Sequence, residues 1–131
     1  MITSSDIQTI LYKKAKGMGI KDVYKAENVP VGELKAERVV VLGNSAEPGT
    51  YWKVGFFNVN ISVPDLDDLG KANLSRLATL ERKATLLFND TSKHDTTAYT
   101  YEVDTTRIEQ DTTMKCHYVN VRVLVKAINV K

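Results

Sequence analysis

The stretch YWKVGFFNVNISVPD, residues 51–65, alternates apolar and polar side chains for longer than an ordinary strand does. The alternation runs from Trp52 to Val63, whereas a typical strand contains about 5–6 residues. Pro64 cannot donate a hydrogen bond to a ladder, so the strand is predicted to end there. At a rise of about 3.3 Å per residue, the strand would be roughly 40 Å long. A chain with one strand of this length must fold around an extended sheet.

The alternation also changes phase once within this strand. Trp52, Val54 and Phe56 share one parity, while Phe57, Val59, Ile61 and Val63 share the other. The last apolar stretch of the chain changes phase in the same way at Tyr118-Val119. Because a β-bulge adds one residue and a bend to a strand, we expect a bulge at each of the two positions. Two bulged strands predict a strongly curved sheet, or strands that pass from one packing environment into another.

Two segments have helical spacing of apolar residues. Residues 3–19, TSSDIQTILYKKAKGMG, predict a short amphipathic helix that Ser4 or Ser5 caps and Gly17 ends. Residues 65–90 predict the main helix. Its predicted apolar stripe is Leu69, Leu77, Leu80, Ala84, Leu87 and Phe88, and its predicted first-turn acids are Asp65, Asp67 and Asp68.

The remaining apolar segments predict strands. A short extended segment follows Ile20, and the continuous run Val39–Leu42 is typical of a strand buried on both faces. Residues 99–111 and 113–130 are separated by a short polar turn and predict an antiparallel hairpin. The chain is therefore expected to form one α+β domain, residues 1–131. We expect a curved, mostly antiparallel sheet of about four strands, a long helix packed on one face and a short N-terminal helix.

Composition disfavours two classes of protein. The chain has 18 basic and 16 acidic residues, a net charge of +2, whereas a sequence-reading nucleic-acid binder usually has a larger basic excess. Lys13, Lys14 and Lys16 lie at the end of the first predicted helix, where they complement its dipole. No apolar run approaches the roughly 20 residues of a membrane helix. The single cysteine fits a reducing compartment.

The residues that could perform catalysis do not converge. Cys116 and His117 are adjacent, and neighbours in a strand point to opposite faces, so they do not form a nucleophile and base. The cluster Asp65, Asp67 and Asp68 has Gly70 where a calcium loop needs glycine. It has Arg76 where such a loop needs its bidentate acid, so helix capping is favoured. We expect neither an enzyme nor a bound cofactor or metal.

Aromatic residues lie mainly on or beside the predicted strands, where they favour packing and also anchor interfaces. Residues 89–98, NDTSKHDTTA, have no apolar side chain before Ala98 and predict an exposed loop. We expect this loop and the ends of the long strands to contact other chains. The candidate interface residues are Trp52, Phe57, Asn89, Lys93, His94, Tyr99 and Tyr101.

The order of these segments resembles a known family. The segments are ERVVVLGNS, YWKVGFFNVNISVPD, LGKANLSRLATLERKATLLF, NDTSKHDTTA and the final hairpin. Nearly the whole chain resembles the tail-terminator (tail-completion) proteins of long-tailed bacteriophages, in element order and spacing but without an invariant motif. The resemblance implies an α+β subunit of a homo-hexameric ring at the head-proximal end of the tail.

The resemblance also implies partners and a location. The ring would contact the tail tube protein and a head completion or connector protein, and DNA would pass through its lumen without sequence-specific binding. The protein would be made in the host bacterial cytoplasm and become part of the virion. No catalytic residues are implied, and near-balanced charge suits a channel that does not hold phosphates.

Two alternatives stay open. One is another head-to-tail connector protein, a stopper or an adaptor. The other is a non-catalytic module that binds a small ligand or a protein, for which a deep apolar pocket between the sheet and the main helix would be expected.

Overall fold

Six strands form one sheet in the computed structural model, which describes residues 3–43, 47–48, 52–89 and 99–128. Side chains are described for residues 3–43, 55–89 and 99–126. The elements are α1 (Ser4–Ala15), β1 (Asp22–Lys25), β2 (Arg38–Leu42), β3 (Glu47–Pro48), β4 (Trp52–Pro64), α2 (Leu74–Leu87), β5 (Tyr99–Asp111) and β6 (Cys116–Ile128). Short 3-10 turns follow α1 and β1, at Lys16–Met18 and Ala26–Asn28.

The strand order is β1-β2-β4-β6-β5, and the two-residue β3 also pairs with β4. All pairs are antiparallel except β1 and β2, which are parallel. The α+β class is therefore confirmed, but the sheet is mixed and has more than the expected four strands. The parallel pair is possible because residues 26–37 carry the chain back along the sheet, and a parallel crossover needs about a dozen residues.

Strand β4 is as long as its alternation predicts. It has 13 residues, ends at Pro64, and lies between β2 and β6. Its register against β6 is unbroken from the pair Trp52↔Ile128 to the pair Pro64↔Cys116. The bulges predicted at Phe56-Phe57 and Tyr118-Val119 are therefore wrong. The apolar pattern changes phase there because both faces of these strands carry apolar residues.

The irregularity of the sheet lies elsewhere, in β5. The register of β5 against β6 shifts between Val103 and Thr105, which leaves Asp104 as the extra residue of a bulge. Apart from this shift, β5 and β6 form the antiparallel hairpin that the sequence predicts. The only phase signal for this bulge in the sequence of β5 is Ile108, which pairs with the core residue Val119 but has the opposite parity to Tyr99, Tyr101 and Val103.

The N-cap of α1 lies one residue before the first of its two predicted caps. Thr3, not Ser4 or Ser5, is the N-cap: its hydroxyl accepts a hydrogen bond from the backbone of Asp6, and Asp6 accepts one from the Thr3 backbone. This is a reciprocal capping box. The α-helix ends at Ala15, and the left-handed glycine is Gly19 (φ 76°), which closes the 3-10 turn, rather than the predicted Gly17.

Helix α2 begins at Leu74, nine residues after its predicted start at Asp65. Asn73 caps it by accepting a hydrogen bond from the Arg76 backbone. Asp67 instead accepts hydrogen bonds from the Leu69 and Lys71 backbones, which folds residues 65–73 into a turn. The acids therefore do not stabilise the first turn of the helix. Leu69 lies outside the apolar stripe, with 94% of its surface exposed.

The core lies between the two helices and one face of the sheet, which we call the helix face. Its members from the helices include Ile7, Leu11, Leu77, Leu80, Ala84 and Phe88, and its members from the sheet include Val39, Val41, Phe57, Val59, Ile61, Val119, Val121 and Val123. All these side chains are at most 1% exposed. This layer provides the main stabilisation of the fold, because each Å² of apolar surface removed from water contributes about 25 cal/mol.

Candidate functional site

The face of the sheet opposite the helices, which we call the open face, is built by the strand registers. Side chains of alternate residues in β2, β4, β6 and β5 line up across the strands in rows. One row is Val40, Asn60, Asn120 and Arg107, and the next is Leu42, Asn58, Arg122 and Thr105. Both α-helices pack on the other face. The open face therefore carries amides and arginines where the helix face carries valines.

Three asparagines form a hydrogen-bonded group at the centre of the open face. Asn120 donates from Nδ2 to Oδ1 of Asn60 at 2.7 Å and lies 3.3 Å from Oδ1 of Asn58. All three side chains are half-buried. Cross-strand pairs of this kind stabilise a sheet modestly and fix its register. They also leave amide groups at the surface that can bind a partner.

Arg122 is held in place from two sides. Its guanidinium carbon lies 3.8 Å from the centroid of the Phe56 ring, and its Nε lies 3.8 Å from Oδ2 of Asp104. A cation over an aromatic ring at this distance is attracted by the ring quadrupole. These residues border a groove of about 550 Å³, lined by Phe56, Asn58, Thr105, Thr106, Arg107, Asn120 and Arg122.

A second exposed feature is the leucine patch, which we define as Leu66, Leu69 and Leu74. Their exposed fractions are 58%, 94% and 63%. They lie in and beside the turn between β4 and α2. Lys115 of the β5–β6 turn lies near this segment, 3.9 Å from Asp68. Several large apolar side chains exposed within one short segment mark a surface that suits contact with another protein.

The structure uses the groups that might have been catalytic as structural contacts. His117 Nδ1 lies 2.6 Å from Oδ1 of Asp65, and their side chains are only 15% and 3% exposed. Cys116, the next residue along β6, is 2% exposed. Burial, followed by the charges of Asp111 and Asp65, raises the pKa of the Cys116 thiol to about 11. A thiol with this pKa stays protonated at neutral pH and is a poor nucleophile.

The acidic turn does not provide a metal site. Asp65 is directed to His117, Asp67 accepts hydrogen bonds from two backbone amides, and Asp68 lies 3.9 Å from Nζ of Lys115. Among the residues whose positions are described, no group of three His, Cys, Asp or Glu side chains could hold a metal ion. Within the same residues, no helix is long and apolar enough to cross a membrane.

The candidate interface residues fall into three groups. Phe57 and Tyr101 are 0% and 4% exposed and belong to the core, so neither can contact a neighbouring subunit while the fold is intact. The cause is the face on which they lie: Phe57 points to the helices and Phe56 points away from them. These two residues are therefore removed from the candidate interface.

The other candidates are not brought together as one site. Tyr99 is half-buried and stacks on Tyr101 with ring centroids 6.3 Å apart. Asn89 is exposed, and its Oδ1 lies 3.4 Å from the backbone nitrogen of Val103. Trp52 begins β4, but its side chain is not among those described. Lys93 and His94 lie outside the described residues, as do all residues of the predicted loop 89–98 except Asn89.

The open-face residues Asn58, Asn60, Asn120 and Arg122 were missed as candidates. The signal that could have identified them is the set of polar positions that alternate with the core valines of β4 and β6. Such positions are easily taken for an ordinary solvated face. What distinguishes them is their alignment across the paired strands β4 and β6, which requires the strand order and register.

Comparison with known proteins identifies the fold. No family model matches the chain, and no curated protein matches it in sequence. Solved structures share its architecture over nearly its whole length. One is a chain from the virion of a native gene transfer agent (GTA) particle. It has 12% sequence identity, covers 93% of this chain and 94% of its own, and gives a TM-score of 0.61.

A second solved structure, of a protein that carries only a serial designation, is similar in the same way. Its identity is 14%, with 95% of this chain and 92% of that chain covered and a TM-score of 0.55. At these identities the likeness concerns the arrangement of helices and strands, because one fold can carry several functions. This chain therefore has the fold of a protein found in a virion.

Proposed function

We propose that this chain is a structural subunit of a virion, and in particular a tail terminator (tail-completion) protein. The observation that carries the proposal is the full-length fold similarity to a chain of the gene transfer agent virion. The sequence resemblance to phage tail terminators is a second line of support. In this role the subunits form a ring at the head-proximal end of the tail and join the tail tube to the head connector.

The physical character of the molecule supports a structural role. Its candidate nucleophile, Cys116, is buried, and the thiol is protonated at neutral pH. The side chains of His117 and Asp65 contact each other. A catalytic site needs a base within reach of a nucleophile and an exposed reacting centre. The described residues instead form two extended surfaces, the open face with its amide side chains and the exposed leucine patch. Surfaces of this kind suit binding to other proteins.

The partners in this proposal are further copies of the chain in a homo-hexamer, the tail tube protein and a head completion or connector protein. The open face and the leucine patch are the surfaces that we assign to these contacts. DNA passes through the lumen of the ring without sequence-specific binding. The net charge of +2 agrees with this role, because a strongly basic lumen would hold the phosphate backbone.

Negative-stain microscopy of the purified protein, alone and mixed with tail tubes of its own virion, tests the proposal. Rings in solution, or density that caps one end of the tubes, are the expected results. A protein that stays monomeric and leaves the tubes uncapped would contradict the proposal. Binding to isolated heads but not to tubes would indicate a stopper or an adaptor instead.

Substituting the leucine patch adds a test at residue level. Leu69→Ser removes a side chain that is 94% exposed, so we expect an unchanged melting temperature and weaker capping of tubes. Leu86→Ser is the matched control, because Leu86 is 80% exposed on α2 and lies outside the patch. Equal capping by both variants would remove the patch from the interface.

A non-catalytic binding module is the second candidate function, and the groove on the open face favours it. Its volume of about 550 Å³ lies within the roughly 300–1,000 Å³ range of small-molecule sites. However, the space between the sheet and α2 is filled by buried side chains, including Phe57, Leu77 and Phe88. A stable monomer that ignores tubes and binds a small ligand in a screen would favour this second function.

A further inference from the structure

The two ends of the sheet carry opposite charge, although β1 itself is balanced and the positive excess at its end lies on α1 and on the residues between α1 and β1. Strand β1 forms one edge and β5 the other, with three strands between them. At about 4.8 Å per step, the edges are roughly 19 Å apart. Residues 4–25, which form α1 and β1, contain five lysines and two acids, a net charge of +3. Residues 99–111, which form β5, contain four acids and one arginine, a net charge of −3.

The basic edge, which we define as residues 4–25 (α1, the 3-10 turn after it and β1), holds its lysines without acidic partners. The five are Lys13, Lys14, Lys16, Lys21 and Lys25. Lys16 and Lys25 place their ammonium groups 4.9 and 5.7 Å from the centroid of the Tyr12 ring, and Lys25 donates to the Thr9 hydroxyl. Within the described part of the chain, none of the five forms an ion pair. Glu27, just beyond β1, lowers the local net charge to +2.

The acidic edge is β5, with Glu102, Asp104, Glu109 and Asp111. Arg107 lies 3.9 Å from Glu109, and Arg122 of β6 lies 3.8 Å from Asp104. Including Arg122 and Lys126 of β6, which pair with Thr105 and Thr100, gives a local net charge of −1. From α2, Glu81 and Arg82 add one charge of each sign beside this edge. The Glu102 side chain is exposed, and no ion pair involving it occurs among the described residues.

These charges select one mode of self-association. Two acidic edges repel each other, as do two basic edges, so a two-fold dimer that pairs identical edges is disfavoured. An acidic edge and a basic edge of two copies attract each other. Such a contact joins different surfaces head to tail, and repeated contacts of this type close into a ring when the rotation between subunits permits.

We propose that the acidic edge of one subunit docks on the basic edge of the next copy of this chain, and that this contact builds the ring. The inference rests on the proposed function for the existence of a ring, and it adds which surfaces meet. A second copy of the chain is the favoured occupant because both complementary surfaces occur on every molecule. The contact is expected to weaken as salt rises, since the Debye length falls from about 10 Å at 0.1 M to about 3 Å at 1 M.

Charge reversal tests the contact with two variants that should complement each other. Lys13→Glu with Lys21→Glu makes both edges acidic, and Glu102→Lys with Asp104→Lys makes both edges basic. We expect each variant alone to assemble at least about ten-fold more weakly than the native chain, because like charges now meet. Mixing the two variants in equal amounts should restore assembly, since each then offers the edge that the other needs. Mass photometry or sedimentation velocity measures the assembled fraction.

The control is Lys35→Glu, which reverses an exposed loop lysine outside both edges and outside the leucine patch and should leave assembly unchanged. Circular dichroism melts show whether each variant is folded. Recovery in the mixture supports the inference. The edge contact is wrong if native rings or tube caps form but the mixture of folded variants does not recover assembly. It is also wrong if the single variants lose capping while their rings persist. In both cases the proposed function stands. If the native chain forms neither rings nor caps, both fail.

Discussion

The two faces of the sheet differ most clearly at two neighbouring residues. Phe57 is 0% exposed among the side chains of α1, α2 and the central strands. Phe56, one position earlier in the same strand, lies on the open face under the guanidinium of Arg122. The same strand therefore stabilises the subunit with one set of side chains and presents a polar surface with the other. In this fold, stability and contact surface are separated by strand parity rather than by position along the chain.

The largest effect should come from shortening one of these two rings. Phe57→Ala removes a fully buried ring and leaves a cavity, so we expect the free energy of unfolding to fall by about 3–5 kcal/mol. Phe56→Ala removes an exposed-face contact with one arginine and should cost about 1 kcal/mol or less. Urea denaturation of both variants measures the difference. Similar costs for the two would contradict the separation of the faces.

The pair Asp65–His117 should give the next largest effect. His117→Ala leaves the Asp65 carboxylate buried without its partner, which is expected to cost about 2–3 kcal/mol. Asp68→Ala is the matched control, because the Asp68 side chain is 93% exposed, and it should change stability by less than about 0.5 kcal/mol. Thermal melts at neutral pH compare the two. A His117→Ala variant as stable as the control would show that the pair does not hold the end of β4.

The capping box of α1 should give a smaller effect on the helix face. Thr3→Ala removes the hydroxyl that accepts from the Asp6 backbone, and the loss of such a cap typically costs about 1 kcal/mol. Thr3→Ser keeps the hydroxyl and should stay close to the native stability. Chemical denaturation distinguishes these outcomes. Equal losses in both variants would point to the methyl group of Thr3 rather than to the cap.

On the open face, Asn120→Ala should cost less than the core substitution does. It removes the hydrogen bonds to Asn58 and Asn60 from a half-buried site that water can enter, so we expect a loss of about 0.5–1 kcal/mol. Assembly is expected to weaken more than stability, which microscopy and denaturation measure separately. A loss of stability comparable to that of Phe57→Ala would mean that the open face contributes as much to the free energy of unfolding as the helix face does.

The Cys116 thiol should make stability depend on pH only above about pH 9. Its pKa is raised from its ordinary 9.0 to about 11 in the folded chain. Because the unfolded chain ionises first, the contribution is complete below about pH 9 and is lost as pH rises to about 11. The native chain should therefore lose more stability than Cys116→Ala over that interval. If the native chain and Cys116→Ala lose stability in parallel as pH rises, the pH dependence does not come from the Cys116 thiol.

Much of the fold could be predicted from local patterns. The period of two from Trp52 to Val63 predicts a long strand, and the spacing of Leu77, Leu80 and Ala84 predicts the buried stripe of α2. The patterns fail where one signal has two physical causes. A change of phase at Phe56-Phe57 can arise from a bulge or from apolar residues on both faces. Acids before a helix can stabilise its first turn or, as Asp67 does, form a turn of their own.

The candidate surface was harder to predict than the fold. The aromatic rings of Phe57 and Tyr101 make them candidates in the sequence, but the face to which a ring points depends on the sheet register. Asn58, Asn60 and Asn120 come from distant parts of the chain and meet only when β4 pairs with β6. The opposite charges of residues 4–25 and of β5 are visible in the sequence. Their position at opposite edges is not, because it depends on the strand order.

The pairing of β4 with β6 also bears on how the subunit is made. Every partner of β4 in β6 lies at least 52 residues later in the chain, from Pro64↔Cys116 to Trp52↔Ile128. Until β6 has been synthesised, the central strand has one long unpaired edge, and unpaired edges invite aggregation. Contacts between such distant residues also slow folding. A nascent chain therefore becomes competent to complete its sheet only when β6 has emerged from the ribosome.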